Sequence, residues 1–215
     1  MSNRNFHYDP DKQNAMYKVL RPIAKFLVWF VFKTKVYGLE NIPEKGGFIL
    51  ASNHITAIDP VFMVAKCPRE LHFMGKAELF QKGFTRWFLT GMNGFPVQRR
   101  GVDMKAMRYA QALLKKDHVL GIFPEGTRSK TRVPQSPKAG VALIAKETQS
   151  DVVPVSIYFS EKPHWRSRLT IRFGEVIPFE QLGITSEEHD SQQLRDAAKL
   201  IMERITEQWA KKHDA

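Results

Sequence analysis

An apolar run, Gly47-Phe48-Ile49-Leu50-Ala51, breaks one residue later into the polar turn Asn53-His54-Ile55-Thr56-Ala57-Ile58-Asp59-Pro60. A short apolar run bounded by glycine fits a buried strand. Asp59-Pro60 then reads as a helix N-cap followed by the first helical residue, where proline needs no amide partner. His54 and Asp59 therefore fall in a tight strand-to-helix turn, and strand ends are where α/β sheets build sites. A histidine there can take a proton near neutral pH, and a nearby carboxylate can hold its ring. A lone histidine at a strand end is usually only hydrogen-bonded, however, and Asp59 alone can be only a cap. Spacing leaves both readings open.

The same alternation recurs along the chain. Strands are expected at 47–53, 71–74, 118–123, 151–159 and 168–177, with a short strand leading into a turn within 36–43 and a short extended piece at 94–100, and helices at 60–66, from about 76 to 90, 103–116, 139–148 and 191–212. Alternating strands and helices predict an α/β fold: a mixed, largely parallel sheet with helices on both faces. The segment 168–177 alternates apolar and polar residues, which predicts a half-exposed strand near an edge. The helix carrying Phe80, Phe84, Trp87, Phe88 and Leu89 fits either the core or a lipid surface. At 215 residues and 43% hydrophobic, the chain has enough apolar surface for a real core.

The first 35 residues read differently. Asp9-Pro10 resembles a helix start, and from about Asp11 to Phe32 the pattern is helical, with Met16, Val19, Leu20, Ile23, Phe26, Leu27, Phe30 and Val31 at three-and-four spacing. Lys18, Arg21 and Lys25 take the other face, and Pro22 is expected to bend or divide the helix. Either this helix packs on the domain, or it is an interfacial membrane anchor, since residues 1–35 hold seven Lys or Arg against two Asp. The expected organisation is a helical membrane-association segment at 1–35 and one α/β domain at 36–215. No run approaches the roughly 20 apolar residues of a bilayer span, and no cleavable signal peptide is expected.

Net charge is +11, which implies an acidic partner: nucleic acid, anionic lipid or a phosphorylated substrate. Nucleic acid is disfavoured, because no zinc-finger, basic-zipper or RNP-type signature is present. A metal site is not expected, because the seven histidines form no His-x-x-x-His pair and Cys67 stands alone. The Gly-x-Ser-x-Gly elbow and the P-loop pattern are also missing. The cations that draw notice are Lys76, Arg99, Arg100, Arg128 and Lys138, all at turns after apolar strands. An arginine fork suits phosphate, and Gly126 lets backbone amides approach an anion. Each base taken singly is more simply a solvated surface residue.

Four blocks together carry a resemblance: Asn53-His54 with Asp59, Gly94-Phe95-Pro96-Val97-Gln98-Arg99, Phe123-Pro124-Glu125-Gly126-Thr127-Arg128-Ser129, and Val152-Val153-Pro154-Val155-Ser156-Ile157. In order and spacing they resemble the 1-acylglycerol-3-phosphate acyltransferase (PlsC-like) family of glycerolipid acyltransferases. The resemblance covers about residues 36–160. It implies acyl transfer from acyl-CoA or acyl-carrier protein to the sn-2 hydroxyl of lysophosphatidic acid, giving phosphatidic acid for phospholipid biosynthesis. It implies His54 as general base and Asp59 as its orienting partner. Lys76, Arg99 and Arg128 would hold phosphate, with Glu125, Gly126 and Thr127 shaping the pocket and Asn53, Arg100, Ser129 and Lys138 as further candidates. No cofactor beyond the thioester co-substrate is expected. The partners expected are the two substrates, an anionic membrane surface and, where it carries the acyl group, acyl-carrier protein, with peripheral or monotopic placement on the cytoplasmic face of the cell membrane. Alternatives are an acceptor such as glycerol-3-phosphate or another lysolipid, and a non-catalytic lipid-binding protein on the same fold.

Overall fold

The computed structural model describes residues 6, 9, 10, 14–81, 83–98, 103–185 and 190–214. Among these residues the chain runs α1 (Ala15–Val31), β1 (Lys33–Tyr37), β2 (Phe48–Ser52), α2 (Asp59–Lys66), β3 (Leu71–Lys76), α3 (Gly83–Gly91), β4 (Gly94–Val97), α4 (Met104–Lys115), β5 (Val119–Ile122), α5 (Gly140–Thr148), β6 (Val152–Tyr158), β7 (Arg168–Phe173) and α6 (Ser191–Ala210). Short 3-10 turns occupy Leu39–Asn41, Ala77–Phe80 and Phe179–Leu182.

The strands form one sheet in the order β1-β7-β6-β2-β5-β3-β4. All neighbours are parallel except β6 and β7. This is the mixed, mostly parallel sheet that the alternation predicts. The carboxyl ends of β2 to β6 thus share one edge, and β1 and β7 run the other way.

The two faces are covered by separate clusters because successive strand residues point to opposite sides. Phe48 and Leu50 of β2 join Phe62, Met63 and Val64 of α2 and Ala24 and Val28 of α1. Ile49 and Ala51 join Leu113 of α4, Ile144 of α5 and Ile201 of α6. Every residue of β2 is buried, and each such Ile, Leu or Phe contributes on the order of 1.5–3 kcal/mol.

Three sequence expectations are corrected. First, β7 is not half-exposed: from Leu169 to Phe173 every residue is buried, because β1 pairs outside it and α6 packs over it. Second, α1 begins at Ala15, where the Asn14 side chain accepts the Met16 amide at 3.2 Å, and not at Asp9-Pro10. It continues through Pro22 undivided, and positions 11–13 lie outside the described residues. Third, Asp59 does not cap α2. It is the first residue of that helix, and the cap position, Ile58, makes no side-chain cap bond.

The orientation of α1 is informative. Tyr17, Ala24 and Val28 form the buried stripe, a narrow line at helical spacing. Val19, Ile23, Phe26, Leu27, Trp29 and Phe30 lie outward and exposed. The helix turns its more apolar face away from the protein.

Candidate active site

Helices after adjacent parallel strands leave the sheet in opposite directions at one place near its centre. The helix after β2, α2, packs on one face; the helix after β5, α5, packs on the other. A crevice opens where such connections diverge, outside the carboxyl ends of the two strands. His54 follows β2 and Glu125 follows β5, so the two marked blocks of the sequence line this crevice together.

The His54 turn is built around one carboxylate. Asp59 is fully buried. Its Oδ2 accepts the amides of Ile55 at 2.6 Å and Thr56 at 2.8 Å, and meets His54 Nδ1 at 2.8 Å. Its Oδ1 accepts the Thr56 hydroxyl at 2.5 Å. The carboxylate that the sequence suggests as a helix cap instead reaches back and folds the turn. A carboxylate offers about four acceptor positions; here Oδ2 is shared by three donors and Oδ1 takes one. With Nδ1 donating to Asp59, the acceptor lone pair of the imidazole is on Nε2, which makes no hydrogen bond to the described residues. The His54 side chain keeps 14% of its surface exposed, enough for a substrate to reach it.

The ring is held from the side as well. It stacks on Phe123, with centroids 4.1 Å apart, and Phe123 stacks in turn on Phe73 at 6.2 Å. Gly121 makes room for this pile, since a Cβ there would lie 2.2 Å from the Phe73 ring.

The β5 loop is bound directly to the His54 turn. Glu125 Oε1 accepts the His54 amide at 2.8 Å, and the His54 carbonyl accepts the Ser129 amide at 2.7 Å. Burial pushes the Glu125 carboxyl up to about 7; the backbone amides of His54 and Gln135 oppose this, and the nearby Asp59 charge adds to it. Ser129 is buried, and its hydroxyl donates to the Val133 carbonyl at 2.7 Å, so its side chain fastens the loop. Gly126 adopts φ +69°, a conformation that glycine takes without steric cost. The aliphatic end and Nζ of Lys138 lie over it, within 3.3 Å of where a Cβ would be.

The remaining candidates divide. Thr127 and Arg128 are exposed on the same loop. Lys76 ends β3 on the same sheet edge, with Nζ 3.4 Å from Glu78. Arg99 and Arg100 lie outside the described residues. Asn53 is fully buried, and its amide exchanges two hydrogen bonds with the backbone of Ile157 on β6, at 2.9 and 2.8 Å. Two residues that sequence reasoning passes over belong with the site: Thr56, which gives Asp59 two of its donors, and Phe123, under the imidazole. A hydroxyl residue inside His-x-x-x-x-Asp and an aromatic opening the Glu125 block were the available signals. Among the described residues there is no cluster of three metal-ligating side chains.

The family model described as Acyltransferase matches residues 33–158. A 1-acyl-sn-glycerol-3-phosphate acyltransferase of Bacillus subtilis is 34% identical over 142 residues, 66% of this chain and 70% of that protein. One from Streptococcus pneumoniae is 34% identical over 144 residues, 65% of this chain; the match spans 53% of that protein's length. Among solved structures, the 1-acyl-sn-glycerophosphate acyltransferase PlsC of Thermotoga maritima superposes with a TM-score of 0.69 at 28% identity, covering 89% of this chain and 78% of that one. The family match begins at the first residue of β1 and ends at the last of β6, so it contains both crevice loops and leaves α1 and α6 outside.

Proposed function

Because this chain is a member of the acyltransferase family, we propose that it transfers an acyl group from a thioester to the free hydroxyl of a lysophosphatidate-type acceptor, giving phosphatidate. The observation that carries the mechanism is the His54–Asp59 pair at 2.8 Å, with Asp59 buried and held by three further donors. His54 Nε2 takes the proton of the acceptor hydroxyl as that oxygen bonds to the thioester carbonyl carbon. The carbon–sulfur bond breaks, and the imidazolium returns the proton to the departing thiolate. Asp59 fixes the tautomer and stabilises the transient imidazolium. A general base of this kind contributes about 10²–10⁴-fold. The acceptor oxygen is itself the nucleophile, so the scheme needs no acyl-enzyme.

The acceptor phosphate is assigned to Arg128 and Lys138 on the Glu125 loop, to Lys76 across the edge, and to Arg99 after β4. Gly126 and Thr127 shape that pocket, and Glu125 holds it to the His54 turn. The acyl donor is CoA or acyl-carrier protein bound.

Attachment to an anionic membrane surface, on the cytoplasmic face, completes the reading. Its support is where the exposed apolar side chains fall. Phe26, Leu27, Trp29 and Phe30 end α1 just before β1; Trp165 precedes β7 and packs edge-on against Phe30 at 4.8 Å; Ile58, Leu79, Phe84 and Trp87 follow β2 and β3. Topologically all of these belong to the sheet edge that carries His54. No helix of the described residues is long and apolar enough to cross a membrane. Aromatic and aliphatic side chains flanked by bases favour interfacial binding.

The deciding experiment is a thiol-release assay with acyl-CoA or acyl-carrier protein and a panel of lysophosphatidate, glycerol-3-phosphate and zwitterionic lysolipids. Fast turnover restricted to lysophosphatidate supports the reading. Equal turnover without a phosphate monoester removes the assigned phosphate pocket, and no turnover with any pair removes the enzyme activity.

A further inference from the structure

A second polar cleft, of about 410 Å³, lies at the sheet edge opposite His54. It opens beyond the carboxyl ends of β1 and β7, the two strands that run against the rest, and α6 forms its other wall. None of the blocks that mark the crevice reaches it except Pro154.

Arg172 lines this cleft from β7 and is only 4% exposed. Its guanidinium lies over the ring of Tyr37, its register partner on β1, 4.1 Å from the ring centroid. The aromatic face answers the flat side of the cation. It does nothing for the in-plane N–H donors, and Nε and Nη2 are buried with no hydrogen-bond partner among the described residues. A buried guanidinium without a carboxylate is an expensive group to keep, since it wants an anion in the plane of its fork.

The lining around it is charge-balanced, two cations against two carboxylates, so the positive charge of the cleft is that of Arg172. Arg204 and Lys211 of the α6 wall line the same cleft. Of the two carboxylates that also line it, Glu207 is engaged by Arg204 at 3.2 Å, which leaves Glu175. Two residues before Arg172 on β7, the Thr170 hydroxyl meets His213 Nδ1 at 2.8 Å, and His213 Nε2 is a further buried atom without a partner. Burial first, and then the charges of Arg168, Lys35 and Arg172, hold His213 below its ordinary value, with only Asp214 opposing them.

We propose that this cleft is a binding site for a phosphate monoester, held in the plane of the Arg172 guanidinium and flanked by Arg204 and Lys211. A phosphate meets Arg172 in the plane of its fork and Lys211 beside it, with Arg204 shared between the phosphate and Glu207, and the cleft has room for an organic group beyond the phosphate. The site is separate from the crevice and does not depend on the reaction assigned there. It lies on the edge away from the exposed aromatic side chains, so the expected ligand is a soluble ester and not a lipid headgroup.

The test uses the full chain and inorganic phosphate as the probe, with thermal melting followed at constant ionic strength. The Arg128→Ala variant weakens the response of the crevice. In that background phosphate is expected to raise the melting temperature, and the titration midpoint is expected to rise about tenfold or more on adding Arg204→Ala with Lys211→Ala. Both added positions are exposed, Arg204 on α6 and Lys211 just after its end, so folding is preserved where Arg172→Met fails to fold. A response unchanged by the α6 pair overturns the proposal. So does a response abolished by Arg128→Ala alone, which sends phosphate only to the crevice. Flotation with vesicles carrying phosphatidate separates the sources. Equal flotation of the α6 double variant and wild type identifies a soluble ligand, and reduced flotation identifies a headgroup; both retain the site provided the phosphate response is present.

Discussion

Glu125, on the loop after β5, accepts the backbone amide of His54, on the turn after β2, at 2.8 Å. The two strands are neighbours in the sheet but lie 71 residues apart in sequence, so this bond couples the candidate base to the candidate phosphate loop. Its strength depends on charge. Burial raises the Glu125 carboxyl to about 7, against about 4.5 for the ordinary side chain. Between these values the folded protein binds more protons than the unfolded chain, so Glu125 makes stability fall as pH rises from about 4.5 to 7 and stay reduced above. Glu125→Gln keeps an acceptor for His54 and removes the titration. Its melting temperature is expected to exceed that of wild type above pH 7 and to converge toward it near pH 4.5. Parallel curves across that range refute the assignment.

His54→Ala is expected to lower kcat in the thiol-release assay by about 10²–10⁴-fold while the circular dichroism melt stays close to wild type. Turnover within a few-fold of wild type in a folded variant excludes His54 as the base.

Asp59→Ala is expected to be a different kind of lesion. It leaves the amides of Ile55 and Thr56 and the Thr56 hydroxyl without an acceptor. At roughly 1–3 kcal/mol for a buried unpaired donor, which applies in full to the Ile55 amide and less to the half-buried Thr56 donors, the loss of stability is about 1–3 kcal/mol or more beyond that of His54→Ala. Urea denaturation of the two variants side by side measures the difference, and equal midpoints contradict the turn-building role.

Gly126→Ala and Arg128→Ala address the phosphate loop. The alanine must adopt φ +69° and meet Lys138 at 3.1 Å, a cost of about 1–2 kcal/mol in backbone conformation together with a displaced lysine. Both variants are expected to raise KM for the phosphorylated acceptor several-fold more than KM for the thioester. Equal changes in both constants detach the loop from phosphate.

The membrane prediction follows from which face of α1 is outward. Deleting the helix would strip Tyr17, Ala24 and Val28 from the core, so point changes are the cleaner test. Phe26→Ser, Trp29→Ser, Phe30→Ser and Trp165→Ser together are expected to release the protein from anionic vesicles with little change in melting temperature. Each removes about 1.5–3 kcal/mol of potential apolar burial. Undiminished flotation places attachment elsewhere.

Much of this architecture is legible in the sequence. Runs such as Phe48–Ala51 and Val152–Ile157 announce buried parallel strands, and most elements fall within a few residues of expectation; the exceptions are the helix expected from about 76, where Ala77–Phe80 is a 3-10 turn and α3 starts at Gly83, and the strand expected within 36–43, which is Lys33–Tyr37. What escapes is tertiary. The alternation in β7 suggests exposure, yet Thr170 and Arg172 are buried, because no local pattern tells that β1 will pair outside the strand and α6 will cover it. In α1 the apolar stripe predicts a face and leaves open which way it points. Asp59 shows the limit in the site itself. Asp-Pro before an apolar helix is a sound cap signal, and the carboxylate lost that role to His54, Ile55 and Thr56, whose donors are nearer once the turn has closed.

The side-chain amide of Asn53 has a consequence for how the crevice can exist at all. It answers both the N–H and the C=O of Ile157, a job that backbone would do if β2 simply continued beside β6. One side chain thus impersonates a peptide unit. The real peptide next to it is released to change neighbours: the His54 amide goes to Glu125 and its carbonyl to Ser129, both beyond β5. The sheet splits at its centre without leaving a broken rung on either side. Aspartate at position 53 would set a carboxylate against the Ile157 carbonyl, and leucine would leave both groups of that peptide unmet, so the residue is specified by its two-way hydrogen bonding and by neither its size nor its polarity alone.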